Sequence, residues 1–217
     1  MKFELLPDSV KERFRESVSP IINLCVKYNL NPNIFTSISL LICIYSAYQF
    51  GRGSLRLGAL FLLLGGFFDM VDGSVARASD RVTRFGALFD STLDRYAEIT
   101  VFFGIGYYFV SQHTQGSSTG LLVSMAVFIA LAGSIMVSYV RARAEGLGFE
   151  CKIGLLQRSE RLLLVGLGAL ICEFTLILAM IIIAIFANFT AIQRIVHIWV
   201  ADNSEKWNKL PADVDHE

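Results

Sequence analysis

Six long apolar stretches constrain this chain more than any other feature. They cover residues 33–50, 56–76, 86–111, 119–140, 160–175 and 176–198. A helix needs about 20 residues to cross the hydrocarbon core of a bilayer. The fifth and sixth stretches are nearly continuous around Glu173 and Phe174, but their combined length requires two crossings. The expectation is an all-α integral membrane protein with six transmembrane helices. Composition agrees: 54% of the 217 residues are hydrophobic and 18% are charged, against about 25% charged in a typical soluble domain.

The first 32 residues precede the spans and carry charge throughout. Val10, Phe14, Val18, Ile21, Ile22 and Cys25 recur at helical spacing, with Lys11, Arg13, Arg15 and Glu16 mostly between them. That pattern predicts an amphipathic helix lying in the membrane interface. The domain reading is therefore an interfacial helix at 1–32, a six-helix domain at 33–200 and a polar, loose tail at 201–217. With the N-terminus cytoplasmic, all but Arg52, Arg56 and Arg95 of the 19 Lys and Arg residues fall on the inner side. This positive-inside bias predicts a multi-pass protein of the cell membrane with its N-terminus in the cytoplasm. The net charge of zero gives no sign of a nucleic-acid partner. Cys25, Cys43, Cys151 and Cys172 lack metal-ligand spacing and read as small hydrophobes. No secretory signal is visible at the N-terminus.

Acidic residues interrupt this apolar background at one place. Asp69 and Asp72 stand three apart at the end of the second stretch, and Asp90 and Asp94 four apart at the start of the third. Both spacings put the pair on one helical face. The linker 78–85 is expected to fold the two helices antiparallel, so that the pairs meet. Carboxylates in a membrane protein are costly and mark function. Four together repel, and hard divalent cations such as Mg²⁺ or Mn²⁺ suit their oxygens. The plainer alternative, structural salt bridges to Arg77, Arg81, Arg84 and Arg95, leaves that cost without a purpose. Glu98 is expected to pair with Arg95 behind the site, with contact to the metal region, four residues after Asp94, as the alternative.

The segment reads Asp69-x2-Asp72-Gly73-x2-Ala76-Arg77-x8-Gly86-x3-Asp90-x3-Asp94. It resembles the signature of the CDP-alcohol phosphotransferase family at every fixed position, and the six-stretch pattern is similar to that family too. The resemblance implies a transferase that moves a phosphatidyl-like group from a CDP-lipid to an alcohol and releases CMP. It implies two metal ions held by Asp69, Asp72, Asp90 and Asp94, with Asp94 also the general base. Gly73, Arg77 and Thr83 would bind the CDP-lipid. Pro32-Asn33-Ile34-Phe35-Thr36 resembles a second family motif, adding Asn33 and Thr36. Family members are commonly homodimers, and the resemblance carries that expectation here. No Ser, Cys or His stands with a base as a nucleophile, so direct transfer is expected.

The acceptor is addressed by a second block, Ser138–Arg161. Arg141, Arg158 and Arg161 gather at the inner ends of the fourth and fifth stretches, and Arg194 near that of the sixth. Any one of them reads equally as a lipid-headgroup anchor. Together, converging guanidinium groups bind phosphate. The block is similar to that of phosphatidylinositol phosphate synthases and their archaeal relatives, although some of these carry lysine where Arg141 stands. This implies inositol 1-phosphate as acceptor, CDP-diacylglycerol or CDP-archaeol as donor, and Glu145 and Glu160 as partners that steady the arginines. Glycerol 3-phosphate is the alternative acceptor. A divalent-cation transporter is the non-enzyme alternative, disfavoured because no second acidic ring leads to the outer face.

Overall fold

A computed structural model of the chain describes residues 19–114, 119–151 and 153–208. The outer part of the expected interfacial helix, the end of the tail and Lys152 lie outside the described residues. Among the described residues every regular element is a helix. A short helical segment over residues 19–27 precedes α1 (Pro32–Gly51), α2 (Leu55–Ala78), α3 (Arg84–Thr114), α4 (Gly120–Gly146), α5 (Arg158–Ile171) and α6 (Glu173–Asn208). In lipid, every backbone N–H and C=O must find its partner within the protein, which restricts an open chain to helices.

Four helices, α1, α2, α4 and α6, are long and apolar enough to cross a membrane. The expected all-helical class is present, and four of the six expected spans meet that criterion among the described residues. The third stretch forms a helix, but α3 carries Arg84, Asp90, Asp94, Arg95 and Glu98 in its first half, which dilutes its apolar character. The fifth forms the 14-residue α5, about 21 Å long at 1.5 Å per residue. The break expected near Glu173 falls at Cys172, whose backbone is extended at φ −164°, ψ 173°. Thr175 seals the corner: its hydroxyl accepts from the Cys172 N–H (3.1 Å) and lies 2.6 Å from the Gly168 carbonyl. Beyond Ala201, where a loose tail was expected, α6 continues to Asn208.

Extensive packing links α1 with α2 and α3, α3 with α4, α4 with α6, α6 with α5, and α5 with α2. The helices thus form a closed ring. Lipid offers no hydrophobic contrast to drive such packing, so close approach of small residues and hydrogen bonds carry it. Ser39 and Ser46 of α1 donate to the Gly65 and Gly58 carbonyls of α2 at 2.8 and 2.6 Å. Where α1 meets α3, a Cβ on Gly104 would fall on the Ala47 carbonyl oxygen. Phe102, Ile105, Leu62, Val165, Met180, Ile183 and Val127 fill the interior. Leu122, Phe174, Ile192 and Trp199 are among the large apolar side chains on the outside, as suits a lipid-facing surface.

The ring has one consequence for function. α1 lies between α2 and α3, so the two acid-bearing helices do not pack along their length. Their polar ends face each other across an open space.

Candidate active site

Helix ends build this space. Asn31 caps α1, accepting from the Asn33 N–H at 3.0 Å, with Pro32 in the first turn. Asn33 itself is therefore free of the capping role that a residue near a helix start often has. Thr83 caps α3, its hydroxyl accepting from the Gly86 N–H at 2.9 Å. These two starts and the end of α2 enclose a cavity of about 760 Å³. Asn33, Thr36, Gly73, Arg77 and Thr83 all line it, beside Asp72 and Asp90. Gly86 lines it too, and a Cβ there would crowd the Thr83 hydroxyl and approach the Asn33 amide. The arginine end of the cavity stays open: Arg77 is exposed and lies 3.4 Å from the Ser74 hydroxyl. Arg81 ties the α2–α3 linker back to Asn29, through both its backbone and side-chain oxygens.

Asp69, Asp72 and Asp90 bring one carboxylate oxygen each within 4.8 Å of one another. Two unit charges at that distance repel by about 3 kcal/mol at an effective dielectric constant of 20. Asp72 is only 4% exposed, and its Oδ2 is buried without a hydrogen-bond partner. A buried anionic oxygen with no donor is expensive. The donor set is all carboxylate oxygen, which suits a hard divalent cation. The residues therefore fit such an ion on charge, ligand type and the unsatisfied Asp72 oxygen.

Asp94 stands beside this trio rather than in it. Its carboxyl adjoins that of Asp69, and its Oδ1 lies 2.5 Å from Arg158 Nη1. Arg95 Nη1 is 3.7 Å from Asp94 Oδ2. Arg158 also reaches both oxygens of Asp69, at 3.1 and 3.0 Å. The sequence reading offered Arg158 to an acceptor phosphate; its guanidinium instead rests on the aspartates, because α5 packs against α2 and starts level with the acidic cluster.

Arg161, one turn further along α5, is 1% exposed and forms a two-pronged pair with Glu98 at 2.8 and 3.1 Å. Its Nη1 donates to the Leu156 carbonyl at 2.9 Å. The expected Arg95–Glu98 pair is replaced by this one, since Glu98 faces the interior at 1% exposure while Arg95 lies at the edge and donates to the Ser91 carbonyl. Arg194 is 5% exposed and donates to the Ile153 and Val137 carbonyls at 2.8 and 2.5 Å. The charges of Arg141 and Arg161 lie close enough to act on it. Arg141 is exposed and paired with Glu145 at 2.8 Å, as expected. Glu160 closes a capping box at the start of α5, accepting from the Gln157 N–H at 2.8 Å. The two rungs between α3 and α5 escaped the sequence reading. Their signal was present as spacing: Asp94 and Glu98 four apart on one helix, Arg158 and Arg161 three apart on another.

A helical membrane bundle with a carboxylate cluster that could hold a metal ion, beside a cavity at the helix ends, is the class of protein that the fold and site define. The chain belongs to the CDP-alcohol phosphatidyltransferase family, whose model matches residues 29–203. It is 36% identical over 197 residues to the archaetidylinositol phosphate synthase of Methanothermobacter thermautotrophicus, covering 88% of this chain and 95% of that one. It is 32% identical over 200 residues to the phosphatidylinositol phosphate synthase of Corynebacterium glutamicum, covering 90% of each. Its fold is similar to that of the Mycobacterium tuberculosis phosphatidylinositol phosphate synthase crystallised with CDP-DAG, with a TM-score of 0.75 at 29% identity, covering 92% of this chain and 98% of that one. A structure of the same mycobacterial enzyme with manganese and citrate also matches with a TM-score of 0.75 at 29% identity, covering 91% of this chain and 92% of that one.

Proposed function

We propose that this enzyme transfers a phosphatidyl or archaetidyl group from a CDP-lipid to inositol 1-phosphate and releases CMP. The observation that supports this most is the shared lining of one cavity by Asn33, Thr36, Gly73, Arg77 and Thr83, next to Asp72 and Asp90. In this reading the nucleotide end of the donor occupies that cavity. Asn33 and Thr36 orient the diphosphate, Thr83 contacts the nucleotide portion, and Gly73 leaves room for close approach of the backbone. Two divalent ions, Mg²⁺ or Mn²⁺, bound by Asp69, Asp72, Asp90 and Asp94, would offset the diphosphate charge.

Asp94 takes the proton of the acceptor hydroxyl. The resulting oxygen attacks the lipid-bearing phosphorus, the bond to the CMP oxygen breaks, and Arg77 offsets the charge that develops there. Asp94 stands apart from the tight trio, which supports a base role. Arg141, Arg161 and Arg194 supply the positive field for the acceptor phosphate; Arg158, held on Asp69 and Asp94, is left out of that set. All six helices cross the membrane in this reading, with the active site and N-terminus cytoplasmic. The homodimeric state belongs to the same proposal and rests on family resemblance alone.

The test is CMP release by the purified protein with Mg²⁺ and CDP-diacylglycerol or CDP-archaeol, offered inositol 1-phosphate, glycerol 3-phosphate or free inositol. Release only with inositol 1-phosphate supports the proposal. Release with glycerol 3-phosphate instead keeps the acidic site and overturns the acceptor. Arg141→Ala is expected to raise the KM for inositol 1-phosphate about 10-fold or more, since a charge-assisted hydrogen bond is worth about 1.5–3 kcal/mol. The KM for the CDP-lipid should change little. Equal changes in both would remove Arg141 from the acceptor site.

A further inference from the structure

Two arginines of α5 meet acids of α3, and they do so in different ways. Arg161 is fully employed: Nε and Nη2 grip Glu98 and Nη1 holds a carbonyl. Arg158 is not. One nitrogen, Nη1, serves both oxygens of Asp69 and one of Asp94, while Nε is buried without a partner. A guanidinium binds carboxylate best through two parallel N–H bonds. Arg158 forgoes that geometry and leaves a donor unsatisfied, so its position follows charge rather than a complete set of hydrogen bonds. It also occupies Asp69, a carboxylate that the cation needs.

We infer that Arg158 is an exchangeable internal counter-ion of the metal site. It offsets part of the charge of Asp69 and Asp94 while no divalent cation is bound, and it yields Asp69 to the cation when one binds. Both positive groups claim the same oxygens, and the more highly charged one wins them. Release of Arg158 also withdraws it from Asp94, so the proposed base becomes available only once the metal site is filled. The neighbouring Arg161–Glu98 rung holds α5 against α3 during this exchange.

This inference rests on the aspartates being the cation site, and the experiment separates the two. Mn²⁺ binding to the purified protein without substrates, followed by electron paramagnetic resonance, is compared for wild type, Arg158→Gln and Arg158→Lys. Arg158→Gln is expected to bind Mn²⁺ about 10-fold or more tightly, because the competing charge is gone; Arg158→Lys, which keeps it, should stay close to wild type. Unchanged or weaker binding by Arg158→Gln would overturn the exchange and make Arg158 a residue that positions the carboxylates. No Mn²⁺ binding by wild type would overturn the metal reading and the inference with it. A second readout uses wild type alone, in case Arg158→Gln does not fold. Amide exchange over residues 156–160 should rise on Mn²⁺ addition as the start of α5 loses its anchor; protection there would overturn the exchange.

Discussion

Asp94→Asn is expected to lower kcat about 10³-fold at saturating metal and substrates, within the range of about 10²–10⁴ for loss of a positioned general base. The substitution keeps the shape of the side chain and removes its capacity to accept a proton. Asp94 lies outside the trio whose oxygens come within 4.8 Å, so its loss should weaken divalent-cation binding less than loss of a trio member, and saturating metal should mask that part of the effect. That separates it from Asp72→Asn. Asp72 belongs to the trio and holds the orphaned oxygen, so its loss should weaken cation binding, and added Mg²⁺ should recover part of the activity. Steady-state CMP release across a Mg²⁺ titration distinguishes the two. Near-normal turnover by Asp94→Asn would remove it from the base role.

The second large effect is on stability. Arg161→Ala is expected to destabilise the protein by about 3–5 kcal/mol, because removing one partner of a buried ion pair strands the other charge. Glu98 would be left at 1% exposure with its carboxylate unpaired. Replacing both members, as in Glu98→Leu with Arg161→Met, should cost much less, since a buried pair exchanged for apolar groups of similar volume is often near neutral. Thermal unfolding in detergent of the two single variants and the double variant measures this. If Arg161→Ala unfolds at the wild-type temperature, the pair contributes little to the fold. An acceptor-site test at Arg161 alone would mix loss of structure with loss of binding, which is why exposed Arg141 is the cleaner probe of that site.

Much of the architecture could be read from hydropathy. Each apolar stretch became a helix, and the break between the last two was set by a polar residue in an apolar run, Glu173, one residue from the actual corner at Cys172. The acidic cluster was legible because carboxylates at i, i+3 and i, i+4 on apolar helices have few structural uses. What could not be read was pairing between helices. The sequence places Arg95 and Glu98 on one helix, three apart, and a local pair is the nearest solution it offers. The bundle brings α5 to α3 and gives Glu98 a better partner in Arg161.

The sequence by itself determined the helical class and the concentration of acids at the ends of two helices. These follow from local rules: hydropathy sets what enters lipid, and periodicity sets which side chains share a face. The tertiary structure decided which charge answers which. Placement of α1 between α2 and α3 opens the cavity, and the packing of α5 against α2 carries Arg158 onto Asp69 and Asp94. Those choices depend on which helices become neighbours, and a linear pattern of apolar and charged residues contains that information only through the packing it permits.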